Sequence, residues 1–196
     1  MTVAVEIEMR ARFDKDVHDQ LIARLRKDGE DLGDDAKHIY FYVLPDQLLK
    51  VTDNMAVGTA KITLKGSRIG QGSAFPETEF AIAREDVPAA VKVFKALGFG
   101  SVMHEAFNLR HNFRFQDVEI AVKWSAAWGY HAEFEVLLDD GASDATRDEA
   151  SARIVDVAAE LGVTLMSEQE LADFGAAFEA AEQKRKARQG RAAPIR

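Results

Sequence analysis

From Val5 to Phe13 the chain alternates charged and apolar residues with a period of two, so that Glu6, Glu8, Arg10 and Arg12 share one face of a strand and Val5, Ile7, Met9 and Ala11 share the other. The same alternation recurs downstream. Lys61, Thr63 and Lys65 oppose Ile62 and Leu64; Glu77 and Glu79 share a side; Asn108, Arg110, Asn112 and Arg114 are in phase. Glu119, Ala121 and Lys123 oppose Val118, Ile120 and Val122, and His131, Glu133 and Glu135 oppose Ala132, Phe134 and Val136. The pattern predicts six or more strands. Helical spacing appears between and after them. Val17, Leu21, Ile22 and Leu25 form a stripe after Asp14; Val87, Val91, Phe94 and Leu97 form another, with Pro88 in its first turn and Gly98 as its stop. Ser143 to Leu161 carries Ala150, Ile154, Val157 and Leu161 at helical intervals, and Ser167 with Glu170 is a capping-box signature opening a further helix.

A strand-rich middle with short helices inserted points to an antiparallel sheet and an α+β fold. One amphipathic strand of this kind is ordinarily half exposed to water. When strand after strand carries mixed acids and bases on one side, a closed barrel with a polar lumen, and with helices packed on its apolar outside, competes with that half-exposed sheet as an expectation. The chain of 196 residues, 47% hydrophobic and 30% charged, suits one domain, expected over residues 1–182, with a basic, flexible tail over 183–196 that includes Lys184, Arg185, Lys186 and Arg188. The absence of cysteine excludes disulfides, thiolate chemistry and sulfur-ligated zinc. A net charge of -8 argues against nucleic acid as a partner. No apolar run reaches membrane-spanning length and no signal-like segment precedes Glu6, so a cytoplasmic protein without a membrane partner is expected. A homodimer is left open.

The chemistry lies in the charged faces. Glu6-x-Glu8 and Glu133-x-Glu135 each set two carboxylates on one side of a strand, hard oxygen donors of the kind that suit Mg²⁺ or Mn²⁺. Arg10, Arg12, Lys50, Lys61, Lys65, Arg110, Arg114 and Lys123 supply cations, which a polyphosphate would engage. A metal needs the acids and a phosphate needs the bases. His38, His104, His111 and His131 lack a metal-ligand spacing, and Trp124 and Trp128 read as packing residues. Gly66, Gly70 and Gly72 read as a hairpin connection, since no strand-to-helix phosphate loop surrounds them.

These segments together resemble the CYTH superfamily of triphosphate tunnel enzymes, which includes class IV adenylate cyclases, thiamine triphosphatases and inorganic triphosphatases. Glu6-Ile7-Glu8-Met9-Arg10 is similar to the family's opening Glu-x-Glu-x-Lys, His38-Ile39-Tyr40-Phe41 to its aromatic strand, Ile62-Thr63-Leu64-Lys65-Gly66 to its Thr-x-Lys-Gly strand, and Gly129 to Glu135 to its closing Gly-x-Phe-x-Glu-x-Glu. The likeness runs from about Val3 to Phe174. It implies a triphosphate tunnel that holds ATP, thiamine triphosphate or tripolyphosphate, with Mg²⁺ or Mn²⁺ on Glu6, Glu8, Glu133 and Glu135. It further implies chemistry at Glu6, Glu8 and Arg10, and phosphate binding by Arg12, Lys50, Lys61, Lys65, Arg110 and Lys123. The activity implied is that of a triphosphatase or a class IV-type adenylate cyclase, with a catalytically degenerate nucleotide or polyphosphate sensor as the alternative.

Four positions depart from the family pattern. Arg10 replaces the motif lysine, Asn108 stands where a lysine is usual, Thr52 where an arginine is common, and Lys123 where an acid is usual. Arginine keeps the charge but is too basic to act as a general base near neutrality. Lys123 changes the local charge by two units and is expected to weaken metal affinity; if it sits on a lumen strand next to that of Asn108, it would restore the cation lost at position 108.

Overall fold

The computed structural model describes residues 4–66, 74–139 and 141–191. The elements run β1 (Ala4–Arg12), α1 (Lys15–Asp28), β2 (Glu30–Asp34), β3 (Lys37–Val43), β4 (Leu48–Asn54), β5 (Thr59–Lys65), β6 (Ala74–Ile82), α2 (Val87–Ala96), β7 (Met103–Phe115), β8 (Val118–Ser125), β9 (Gly129–Asp139), α3 (Asp144–Glu160) and α4 (Glu168–Arg191). All the strand pairings are antiparallel.

The expected helices form where the local chemistry stops and starts them. The Asp14 carboxylate accepts from the Val17 amide at 2.9 Å and opens α1, whose buried face includes Leu21 and Leu25. α2 carries proline in its first turn and ends before Gly98, whose φ of 93° needs a residue without Cβ. The Ser143 hydroxyl caps α3 by accepting from the Thr146 amide. At α4 the capping box is reciprocal: Ser167 Oγ accepts from the Glu170 amide at 3.2 Å, and the Glu170 carboxylate accepts from the Ser167 amide at 2.7 Å. The glycine connection expected after Gly66 lies outside the described residues.

Pairing passes from β3 through β4, β5, β6, β1, β9, β8 and β7 back to β3, and the sheet curls accordingly. The closed tube expected from the alternation is nevertheless corrected to a curled barrel with open seams. β7, of 13 residues, lies beside β3 from Met103 to Asn108 and beside the 8-residue β8 only from Leu109 to Phe115. β8 folds back through Gln116 and Asp117, both at positive φ, and is too short to reach the start of β7. β6 likewise pairs with β1 over Ala74 to Pro76 and with β5 over Glu77 to Ile82. Where a strand leaves one neighbour before meeting the next, the wall parts.

Apolar faces turn outward and are covered. Val5, Ile7 and Ala11 of β1, with Val122 and Phe134, pack against Leu21 and Leu25 of α1 and Ile154 and Val157 of α3. Tyr42, Val51, Ala60 and Ile62 pack against Val87 and Val91 of α2. The hydrophobic cores therefore lie between sheet and helices, which leaves the inside of the barrel to the charged face of each strand. Leu25 is completely buried, so Leu25→Ala is expected to lower stability by about 2–5 kcal/mol, read as a shift of the urea midpoint at unchanged slope. No helix among the described residues is long and apolar enough to cross a membrane.

Candidate functional site in the barrel lumen

Register fixes which side chains share the lumen. Glu8 lies opposite Glu135 and Arg10 opposite Glu133; Glu133 is opposite Ala121; Lys123 is opposite Arg110. On the other wall Lys65 is opposite Glu77 and Lys50 opposite Thr63. Residues directly opposite in a sheet point to the same face, so these chains of partners define one interior surface. Glu6, Glu8, Arg10, Lys65 and Lys123 are all buried, as are Thr52, Thr63 and His131.

The charges meet in two linked clusters. Lys65 Nζ donates to Glu6 Oε2 at 2.7 Å and lies 2.6 Å from Glu77 Oε1 and 3.4 Å from Glu8 Oε2. Glu133 receives Arg10 Nε on Oε1 at 3.2 Å and Lys123 on Oε2, with Arg110 Nη1 3.9 Å from that second oxygen. Arg10 also pairs with Glu8 and so joins the clusters. Beyond them, Asp35 accepts from Asn54 and from Asn112 and pairs with Lys37 at 2.7 Å and with Arg110 at 3.1 Å.

Burial and neighbouring charges together set the proton affinities. Burial alone would raise Glu133, but Lys123, Arg10 and Arg110 hold its carboxyl well below the usual range. Burial would lower Lys65, yet Glu8, Glu6 and Glu77 outweigh it and raise the ammonium above its ordinary value. Glu135 is pushed up to about 8 by burial and then by Glu6 and Glu8, which makes it a neutral hydrogen-bonding partner of Glu6 near pH 7. Lys50 is lowered to about 8 by burial and by Lys65, and Lys123 to about 8 by burial against the pull of Glu133. His131, on the lumen face beside Lys123, is lowered to about 4 chiefly by burial and is neutral.

Among these cations Lys50 has a distinct position. No carboxylate among the described residues lies within ion-pair distance of it, and the Thr63 hydroxyl opposite is fully buried without a hydrogen-bond partner. Two unengaged donors on one wall form a ready place for an anion.

The other candidates are placed differently. Arg12 is at the mouth, where it donates to the Trp128 carbonyl at 3.1 Å and lies 4.4 Å over the Phe174 ring. Lys61 pairs with Glu79 at 2.5 Å in a half-exposed position, and Arg114 pairs outside with Glu30 and Glu119. Asp35, Lys37 and Glu77 belong to the lumen network although sequence reasoning did not single them out as site residues. Only Glu77 carried a signal, its phase with Glu79.

α4 crosses the mouth on aromatic contacts. Phe174 lies 4.4 Å from Trp128 and Phe178 lies 5.6 Å from His104, while the Met166 amide just before the helix donates to the Arg10 carbonyl at 2.7 Å. Removing the Phe174 ring forfeits one aromatic pair and one cation–π contact, together about 1–2 kcal/mol, which is about tenfold in a local opening equilibrium. Phe174→Ala is expected to speed hydrogen exchange in α4 by about that factor while the sheet keeps its protection.

The four glutamates expected as metal ligands all reach the lumen, but they do not fit a preformed divalent site. Among the described residues no set of three acidic or histidine side chains is arranged to hold a metal ion. Both oxygens of Glu133 are engaged by cations. At 4 Å and an effective dielectric of 20, one pair of like unit charges repels by about 4 kcal/mol, so an ion at Glu133 must displace Arg10 and Lys123. The cleft between Arg110, Asn112, Glu133 and Glu135 has no room for a water-sized sphere.

No protein-family model matches the chain, and no curated protein matches it. Solved structures do. The PH1012 protein from Pyrococcus horikoshii OT3 superposes with a TM-score of 0.67 at 24% identity, over 85% of this chain and 93% of its own. A candidate adenylate cyclase from Vibrio parahaemolyticus gives 0.61 at 16% identity, over 84% and 91%. HpAC1 from Hippeastrum, in which a triphosphatase activity is dominant, gives 0.58 at 14% identity, over 84% and 90%. With its curled antiparallel barrel, charged interior and outer helices, this chain shares the fold of these three structures, an α+β fold resembling the CYTH tunnel.

Proposed function

We propose that the lumen binds the triphosphate group of a small molecule and that the protein cleaves a phosphoanhydride bond in it. The observation that carries this reading is the convergence of Lys50, Lys65, Arg110 and Lys123, from four different strands, beside Arg10 on one interior surface. Phosphoryl transfer asks little of the protein beyond positioning and neutralising the oxygens of the transferred group, and fixed cations lining the lumen supply both. The triphosphatase activity of HpAC1, on the same fold, agrees with it. In hydrolysis a water oxygen bonds to the terminal phosphorus, and the bridging P–O bond breaks with its electron pair on the departing diphosphate. The water proton passes to a lumen carboxylate, Glu6 or Glu8, because Arg10 is too basic to accept it.

A second reading, binding without turnover, is favoured by one feature: Glu133 is tied to Arg10 and Lys123 and is not available for chemistry. Thermal-shift titration with ATP, thiamine triphosphate and inorganic tripolyphosphate, followed by phosphate-release and cyclic-nucleotide assays with and without Mn²⁺, separates the two. Stabilisation with phosphate release supports hydrolysis, and release of a cyclic nucleotide reassigns the nucleophile to a ribose hydroxyl. Stabilisation without turnover supports the binder. No stabilisation by any of the three contradicts both.

A further inference from the structure

We propose that this lumen holds the polyphosphate chain with its own cations and no resident divalent metal, Lys123 serving as the built-in counter-ion between Glu133 and the phosphate. The inference rests on the triphosphate reading above and concerns how that ligand is neutralised. It follows from how the donors are occupied. Glu133 offers two oxygens, one bound by Arg10 Nε at 3.2 Å and the other by Lys123. Glu8 has Arg10 on one oxygen and Lys65 3.4 Å from the other, and Glu6 is bound by Lys65 at 2.7 Å.

A divalent ion arriving at Glu133 has to expel two cations and then remain beside them, with Arg110 also 3.9 Å from the carboxylate. A phosphate oxygen meets the opposite situation. Lys123 is buried and directly opposite Arg110, so a modest movement of its ammonium away from Glu133 places both cations on the same anion. Charge is conserved throughout, since the lysine carries to the ligand what it gave the carboxylate. The wrong sign at position 123 for a metal is the right sign for a phosphate.

Isothermal titration calorimetry with inorganic tripolyphosphate, in EDTA and again in excess Mn²⁺, tests this on the wild type, Lys123→Asp and Lys123→Arg. The wild type is expected to bind in EDTA, with a Kd that Mn²⁺ changes by less than about threefold. Lys123→Asp is expected to lose about 10- to 100-fold in EDTA and to regain affinity with Mn²⁺, because a carboxylate plus a divalent ion restores the missing charge. Lys123→Arg is expected to bind in EDTA like the wild type, and it keeps the test open if the aspartate variant does not fold. Wild-type binding that appears only with Mn²⁺ overturns the inference and leaves the triphosphate reading standing. Absence of tripolyphosphate binding in both conditions overturns that reading, and the inference with it.

Discussion

Glu133→Ala is expected to be among the most destabilising single substitutions in the lumen, by about 3–5 kcal/mol, because it leaves Arg10, Lys123 and Arg110 close together without the carboxylate that separates them. Chemical denaturation of the purified variant measures it. The loss should be partly reversed by tripolyphosphate, since an anion bound to the three exposed cations stabilises only the folded state. An alanine variant as stable as the wild type would mean that the cluster is open to water. The pH dependence has a definite sign. Glu133 is held well below its ordinary value of 4.5, so its contribution is fully present above that pH and disappears as the pH falls through its folded-state value. Glu133→Ala should therefore flatten the acid limb of the stability profile below about pH 4.5.

Lys50→Met is expected to behave in the opposite way, losing ligand while keeping or gaining stability. Lys50 is a half-buried ammonium with no carboxylate among the described residues within ion-pair distance, and Glu77, which feels its charge, keeps Lys65 at 2.6 Å, so methionine of similar length removes a desolvation penalty without leaving a carboxylate unpaired. The same change deletes one unengaged donor from the lumen, and tripolyphosphate affinity should fall about 10- to 100-fold. Here too the linkage sign is fixed. The folded-state value is about 8 against an ordinary 10.5, so between those limits the unfolded chain binds more protons and stability rises with pH. Lys50→Met should remove that share of the rise. A variant that is destabilised yet binds normally would show that Lys50 serves the fold and not the ligand.

The two substitutions separate structural from ligand-facing charge, a distinction that periodicity does not carry. Alternation in β1 correctly put Glu6, Glu8 and Arg10 on one face, because a period of two is a property of the strand itself. It also marked Lys65, Arg110, Lys123 and Glu133. What it could not mark is occupancy. Whether Lys50 or Lys123 has a carboxylate beside it depends on which strands become neighbours, and that is a matter of long-range register. The same limit explains the seams. β7 is longer than β8, and only the pairing shows that its first half has β3 on one side and no reach to β8 on the other.

Asp35 was invisible for another reason. It lies in the bend between β2 and β3, where no repeat exists to project it inward, yet it gathers Lys37, Arg110, Asn54 and Asn112. β2 itself, Glu30 to Asp34, has an almost uniformly exposed pattern and is a strand because β7 offers it an edge. Helix ends were more legible, since Asp14, Ser143 and the Ser167 and Glu170 pair act within a few residues of themselves.

The central claim is that charged faces from separate strands meet in one interior to receive a phosphate chain. A crystal structure of the protein with inorganic tripolyphosphate tests it most directly. The account predicts phosphate oxygens inside the barrel, in contact with Lys50 and Arg110, with Lys123 drawn off Glu133 towards them. Tripolyphosphate seated only on the outer surface, with the lumen ion pairs undisturbed, would contradict it.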